Sequence, residues 1–294
     1  MSLEQHPRHL LSFSQRTIFR PPFEIPVAAR RSHEDSYEVH QERVRISQEG
    51  AEKTNENIRG IVWGELSGET INGQTIVNAM KQKPLLKFLF EMPHGGAVWE
   101  GITLEEHALM YSEQSKKYIR RPEWNSSLLS FEEFNLLPTL HDLGKPLSVD
   151  FIGLTKDQHT YNKPLMDGVL QILGVEKQKR ELLCSIASQD HLQPFISQNT
   201  SIPLEQIAHN IYDDAQKLGV DAKDYAELTR IHQLLDSSCY TKDAPGGRYS
   251  HDKAFTLGSV NENGMPIIDY SAILQKRWKE LVSLLPVKYP HQAN

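Results

Sequence analysis

Leu140-His141-Asp142-Leu143-Gly144-Lys145 is the stretch on which the reading of the whole chain turns. It closes an apolar run that includes Phe134, Leu136 and Leu137, so Phe131 to Leu143 reads as a helix stopped by Gly144 and Pro146. Neighbouring residues on a helix point about 100° apart, so an adjacent imidazole and carboxylate serve two directions from one place. A polar pair at the end of an apolar helix requires partners. The same dipeptide recurs as His251-Asp252, but in a polar stretch with no apolar helix behind it. The pair therefore gains meaning only from the residues around it.

Working outward, those residues form a spaced series. Thr103-Leu104-Glu105-Glu106 has the pattern of a capping box and opens a helix expected to run to about Arg120, with His107 one turn in. His159 stands before a helix expected over Lys163 to Leu173, which Gly174 ends. His191 closes the apolar periodicity of Glu176 to Gln189, and Asp236 lies in that of Asp221 to Tyr240. The imidazoles of His107, His141, His159 and His191, with the carboxylates of Asp142 and Asp236, suit a nitrogen-and-oxygen metal site with room for bridging water. Lys145 follows Asp142 by about a helical turn, placed to pair with that carboxylate, hold a phosphate oxygen or protonate a leaving group. Arg120, Arg121, Lys242 and Arg248 are further cations near helix ends. His94, His209, His232 and His251 read as solvated or packed.

The flanks are less regular. Residues 1–56 are rich in Arg, Glu, Gln, Ser and His, and read as an arm, partly disordered. Ile58 to Trp63 reads as a strand, Gly64 to Gly73 as turns, and Gln74 to Phe90 as a helix broken at Pro84. Helices are expected over Leu204 to Leu218 and Ser271 to Leu285, separated after Tyr240 by a polar loop at 244–266 suited to a lid. The expected architecture is mainly α: an arm at 1–56, then a single helical domain at 57–294.

Composition narrows the chemistry. The 294 residues carry a net charge of −6, and 38% are hydrophobic, so a core can form without staples. Two cysteines exclude a disulfide scaffold and a four-cysteine zinc site, while thirteen histidines leave ample imidazole. Mild acidity argues against a broad nucleic-acid footprint, and means that an anionic substrate needs local positive charge. No Gly-rich phosphate loop, dinucleotide fingerprint or Gly-x-Ser-x-Gly elbow occurs. Cys184 and Cys239 read as core fillers. With no secretory pattern near Met1 and no apolar run long enough for a membrane span, the expected address is cytoplasmic. Export by a route that needs no such signal stays open.

The ordered series His107, His141-Asp142 and Asp236 resembles the HD-domain superfamily of metal-dependent phosphohydrolases, over about residues 97–243. His159 and His191 match the extra positions of its two-metal members, and Gln189-Asp190-His191-Leu192-Gln193-Pro194 is similar to the corresponding family segment. Asp213, Asp214 and Asp243 are alternatives for the late aspartate. The resemblance implies an HD-like helical bundle, one or two divalent ions (Mn, Fe, Mg, Ni or Zn), and hydrolysis of a phosphomonoester or phosphodiester such as a nucleotide. Asp142 would then orient the nucleophile and Lys145 would offset charge. The same ligand set also resembles the di-iron inositol oxygenase branch, and a non-catalytic HD-like binding protein is a third reading.

Overall fold

The structure, a computed structural model, describes residues 33–92, 102–152, 158–188, 192–196, 202–240, 255–256, 260 and 266–285. The chain divides into two compact units, residues 1–49 and 50–294. Within the first, the described residues are helical, with an exposed Arg45–Glu49 ion pair one turn apart at 2.6 Å.

The first helix, α1 (His33–Leu66), is continuous across both the expected arm boundary and the expected strand. Ile58–Trp63 is therefore helical, and the strand reading is corrected. Its β-branched and aromatic residues suggested a strand, but Ile58, Val62 and Leu66 recur every fourth residue and are all buried. That period puts them on one helix face, and burying it outweighs local β preference.

Turns at 67–72 lead to α2 (Gly73–Met80) and α3 (Pro84–Glu91), with Pro84 opening α3 as expected. The next helix, α4 (Leu104–Tyr118), starts at a complete capping box: Thr103 Oγ1 accepts from the Glu106 amide, and Glu106 accepts from the Thr103 amide. The expected helix over Phe131 to Leu143 is instead two short pieces, α5 (Phe131–Phe134) and α6 (Leu137–Leu140). Pro138 has no amide hydrogen to donate to the carbonyl one turn earlier, so the chain breaks and restarts there. Helix α6 packs against α4, and His141 at its end lies beside His107.

The remaining elements are α7 (Lys145–Ile152), α8 (Gln158–Ile172), α9 (Lys177–Ser188), α10 (Gln193–Ile196), α11 (Leu204–Leu218), α12 (Ala222–Ser238) and α13 (Ala272–Leu284). Strand β1 (Phe255–Thr256) pairs antiparallel with β2 (Asp269–Tyr270), Phe255 opposite Tyr270. The rest of the 244–266 loop lies outside the described residues, except Val260 and Pro266, which form an isolated bridge. Gly174, at φ +76°, ends α8 in the left-handed conformation that glycine adopts without a Cβ penalty.

Helix α4 is central: it packs against α2, α3, α6 and α12, while α8 packs against α7 and α9. Tyr111, Phe134, Leu170 and Leu183 are among the side chains fully removed from solvent. Each such side chain contributes about 1.5–3 kcal/mol relative to leaving it exposed. The protein is mainly α, as expected. Among the described residues, no helix is long and apolar enough to cross a membrane.

Candidate metal centre

Three elements converge on one buried cluster. The capping box fixes where α4 begins, which puts His107 on its inward face with no solvent exposure. The end of α6 delivers His141 and Asp142, and α12 delivers Asp236. His107 Nε2 lies 3.2 Å from His141 Nε2 and 3.0 Å from Asp236 Oδ1. His141 Nε2 is 3.3 Å from Asp142 Oδ2 and 3.4 Å from Asp236 Oδ1. Asp142 Oδ2 is 3.6 Å from His107 Nε2. Lys145 Nζ, largely buried at the start of α7, donates to Asp142 Oδ2 at 3.2 Å.

These spacings can be tested against a metal. Two donors about 2.1 Å from one ion stand about 3.0 Å apart at a right angle and about 3.4 Å apart at a tetrahedral angle. The distances of 3.0 to 3.6 Å between donors cover that range. His107, His141 and Asp142 form a buried group that could hold a metal ion, their donor atoms all within 4.8 Å of one another. Asp236 approaches both imidazoles, with its Oδ1 out of solvent although the side chain is 31% exposed.

Backbone contacts orient the donors. His141 Nδ1 lies 3.1 Å from the Leu137 carbonyl. A carbonyl only accepts, so this contact makes Nδ1 the donor and leaves Nε2 to face the cluster. Asn162 on α8 donates from Nδ2 to the His141 carbonyl and accepts from the Gly144 amide at 3.1 Å. Gly144 has to be glycine, because a Cβ there would stand 2.2 Å from the Asn162 backbone nitrogen. Tyr240 stacks on His107, with its hydroxyl 3.4 Å from Nδ1.

Charge balance follows from this packing. Burial disfavours the charged form of His141, but Asp142 and Asp236 more than offset it and raise its pKa to about 10. Burial would likewise raise the Asp236 pKa, yet His107 and His141 hold it well below the usual carboxylate value. Burial, followed by Asp236 and Asp142, pushes the Cys239 thiol well up. That thiol is buried and protonated, as befits a core filler.

Of the residues anticipated from sequence, His107, His141, Asp142, Lys145 and Asp236 come together. His159, on the first turn of α8, is partly buried and is not among the grouped donors. His191, Lys242, Arg248 and the alternative Asp243 lie outside the described residues. Asp214 is engaged by Lys217 at 2.9 Å and Asp213 by His209 at 3.3 Å, both on α11.

Residues not anticipated also surround the cluster. The Tyr111 hydroxyl lies 2.7 Å from His232 Nδ1, and both rings stand edge-on to His141. Their signal was spacing: Tyr111 is four residues after His107, and His232 four before Asp236, so each shares a helix face with a donor. Asn162 had no comparable signal. Scans against family models, curated proteins and solved structures gave no match to this chain.

Proposed function

We propose that the protein is a metal-dependent phosphohydrolase acting on a phosphomonoester or phosphodiester such as a nucleotide. The observation that carries this reading is the buried His107–His141–Asp142 group joined by Asp236, with Lys145 seated on Asp142. A divalent ion held by these donors supplies a water acidic enough to act as nucleophile near neutral pH and offsets charge on phosphoryl oxygens. His107 and His141 would hold the ion through Nε2, their orientation kept by Tyr240 and the Leu137 carbonyl. Asp142 would share its carboxylate between the ion and Lys145, and so orient the attacking water. The Lys145 ammonium, 3.2 Å from Asp142 Oδ2, would bind a phosphoryl oxygen or the leaving oxygen.

Two measurements test this together: metal content per chain by mass spectrometry, and hydrolysis of a phosphoester panel, each on wild type and Asp142→Ala. Bound manganese, magnesium, nickel or zinc with hydrolysis, both lost in the variant, is the expected result. Iron with ferrous-dependent oxygen consumption would replace hydrolysis by oxygenase chemistry. A folded protein that takes up no divalent ion would overturn the metal reading.

A further inference from the structure

Three rings meet beside the donor cluster, one from each element that supplies a donor. Tyr111 comes from α4, His232 from α12 and His141 from the end of α6. Tyr111 and His232 stack with their centroids 5.7 Å apart, and each stands edge-on to His141, at 5.0 and 5.4 Å. All three side chains are buried. The Tyr111 hydroxyl lies 2.7 Å from His232 Nδ1 and 3.3 Å from the His232 carbonyl, so it engages the ring and the backbone of one residue.

These contacts fall one helical turn from the donors. Tyr111 follows His107 by four residues and His232 precedes Asp236 by four. Asp236 Oδ1 stands 3.0 Å from His107 Nε2 and 3.4 Å from His141 Nε2, as one shared ion requires. Metal–ligand distances tolerate a drift of only about 0.2 Å. The apolar contacts between α4 and α12 are non-directional and do not fix a helix to that precision. A hydrogen bond does, because it weakens steeply when its groups move out of line. Gln114 on α4 also donates to a carbonyl of α12, that of Ser238, at 3.0 Å. That link joins two of the three elements, whereas the ring junction joins all three.

We propose that Tyr111 and His232 are positioning residues of the centre, holding α4, α12 and the end of α6 where Asp236 joins His107 and His141 around one ion. The inference rests on the metal reading above. It adds that the fourth donor is set in place by residues that do not touch the ion.

The test is a double-mutant cycle on ion affinity. The metal-free full chain is titrated with manganese and with zinc as wild type, Tyr111→Phe, Asp236→Asn and the double variant. The temperature is one at which circular dichroism shows each protein folded. Tyr111→Phe should weaken binding about tenfold, the low end for residues that support a ligand. In the Asp236→Asn background the same change should move affinity by less than about twofold, because the donor it positions is already gone. Gln114→Met should lower the melting temperature and leave ion affinity as in wild type. If wild type binds neither ion, the metal reading falls and this inference with it. Binding undiminished in Tyr111→Phe would overturn the inference alone and leave the metal reading standing. So would a loss that persists in full beside Asp236→Asn, or an equal loss in Gln114→Met, since either would mark a general loosening of the core.

Discussion

Replacing Gly144 by alanine isolates how the candidate centre is built. Alanine for glycine usually stabilises by about 0.4–1 kcal/mol where the backbone conformation permits it, because the unfolded chain loses freedom. Gly144 is not one of the glycines at positive φ, so backbone strain does not oppose the change. Packing does. A Cβ there would lie 2.2 Å from Asn162 N, 2.6 Å from Asn162 Cα and 2.7 Å from Tyr161 C. Ordinary carbon contacts begin at about 3.5 Å, so α8 would have to retreat by roughly 1 Å. Overpacking of a core costs about 1–3 kcal/mol and at times more. Because the obstacle is backbone, a loss near 3 kcal/mol is expected, or about 6–12 °C in melting temperature for a unit of this size. The displacement also pulls Asn162 from the His141 carbonyl, so divalent-ion affinity should fall with stability. Thermal melts followed by circular dichroism, and titration with manganese or zinc, measure both. A Gly144→Ala protein as stable as wild type and equally avid for metal would refute the argument.

Other substitutions test separate parts of the fold. Gly60→Ala, at an exposed position of α1 with nothing near its Cβ, should stabilise by about 0.5–1 kcal/mol in chemical denaturation, the sign opposite to Gly144→Ala. Burial tends to raise the Glu105 pKa, but its hydrogen bonds from Lys81 and Gln74 outweigh this and hold it below the usual value. Its contribution is therefore present above the unfolded carboxylate pKa and lost as pH falls through the folded one. With both partners 21% exposed, it amounts to no more than about 1 kcal/mol. Glu105→Gln should remove that share of acid sensitivity in melts taken from pH 6 down to pH 3. Tyr111→Phe keeps the ring against His141 but deletes the hydroxyl at His232, and should cost about 1–1.5 kcal/mol by denaturation. Thr103→Ala removes the cap of α4 and should cost about 1 kcal/mol, measured in the same way.

Where the sequence pattern was local, it was legible. The capping box at Thr103 and the stop at Gly174 act within a turn of themselves, and α4 begins and α8 ends where those residues require. Helix α1 was misread over Ile58–Trp63 because β-branched residues compete with a four-residue period that pays only when a partner surface covers it. The apolar run continues through Pro138, so the pattern of side chains does not mark the break there. At the candidate centre, residue types and apolar neighbours pointed to His107, His141, Asp142 and Asp236, which lie together, but equally to His159, which is not among the grouped residues. The supporting contacts of Asn162 and Tyr240 were not legible, because they join segments brought together only by folding.

The donors come from helices widely separated along the chain, with α6 between α4 and α12 in sequence. An ion bound to all of them would close two large loops at once, and closure entropy grows only slowly with loop length. Synthesis from the amino terminus presents His107 and the His141-Asp142 pair first, and the pocket lacks a wall until α12 arrives. An ion meeting the unfinished chain would find a partial and weak seat. Loading would then be tied to the completion of the core, with ion capture a late step that locks a helix scaffold already in place.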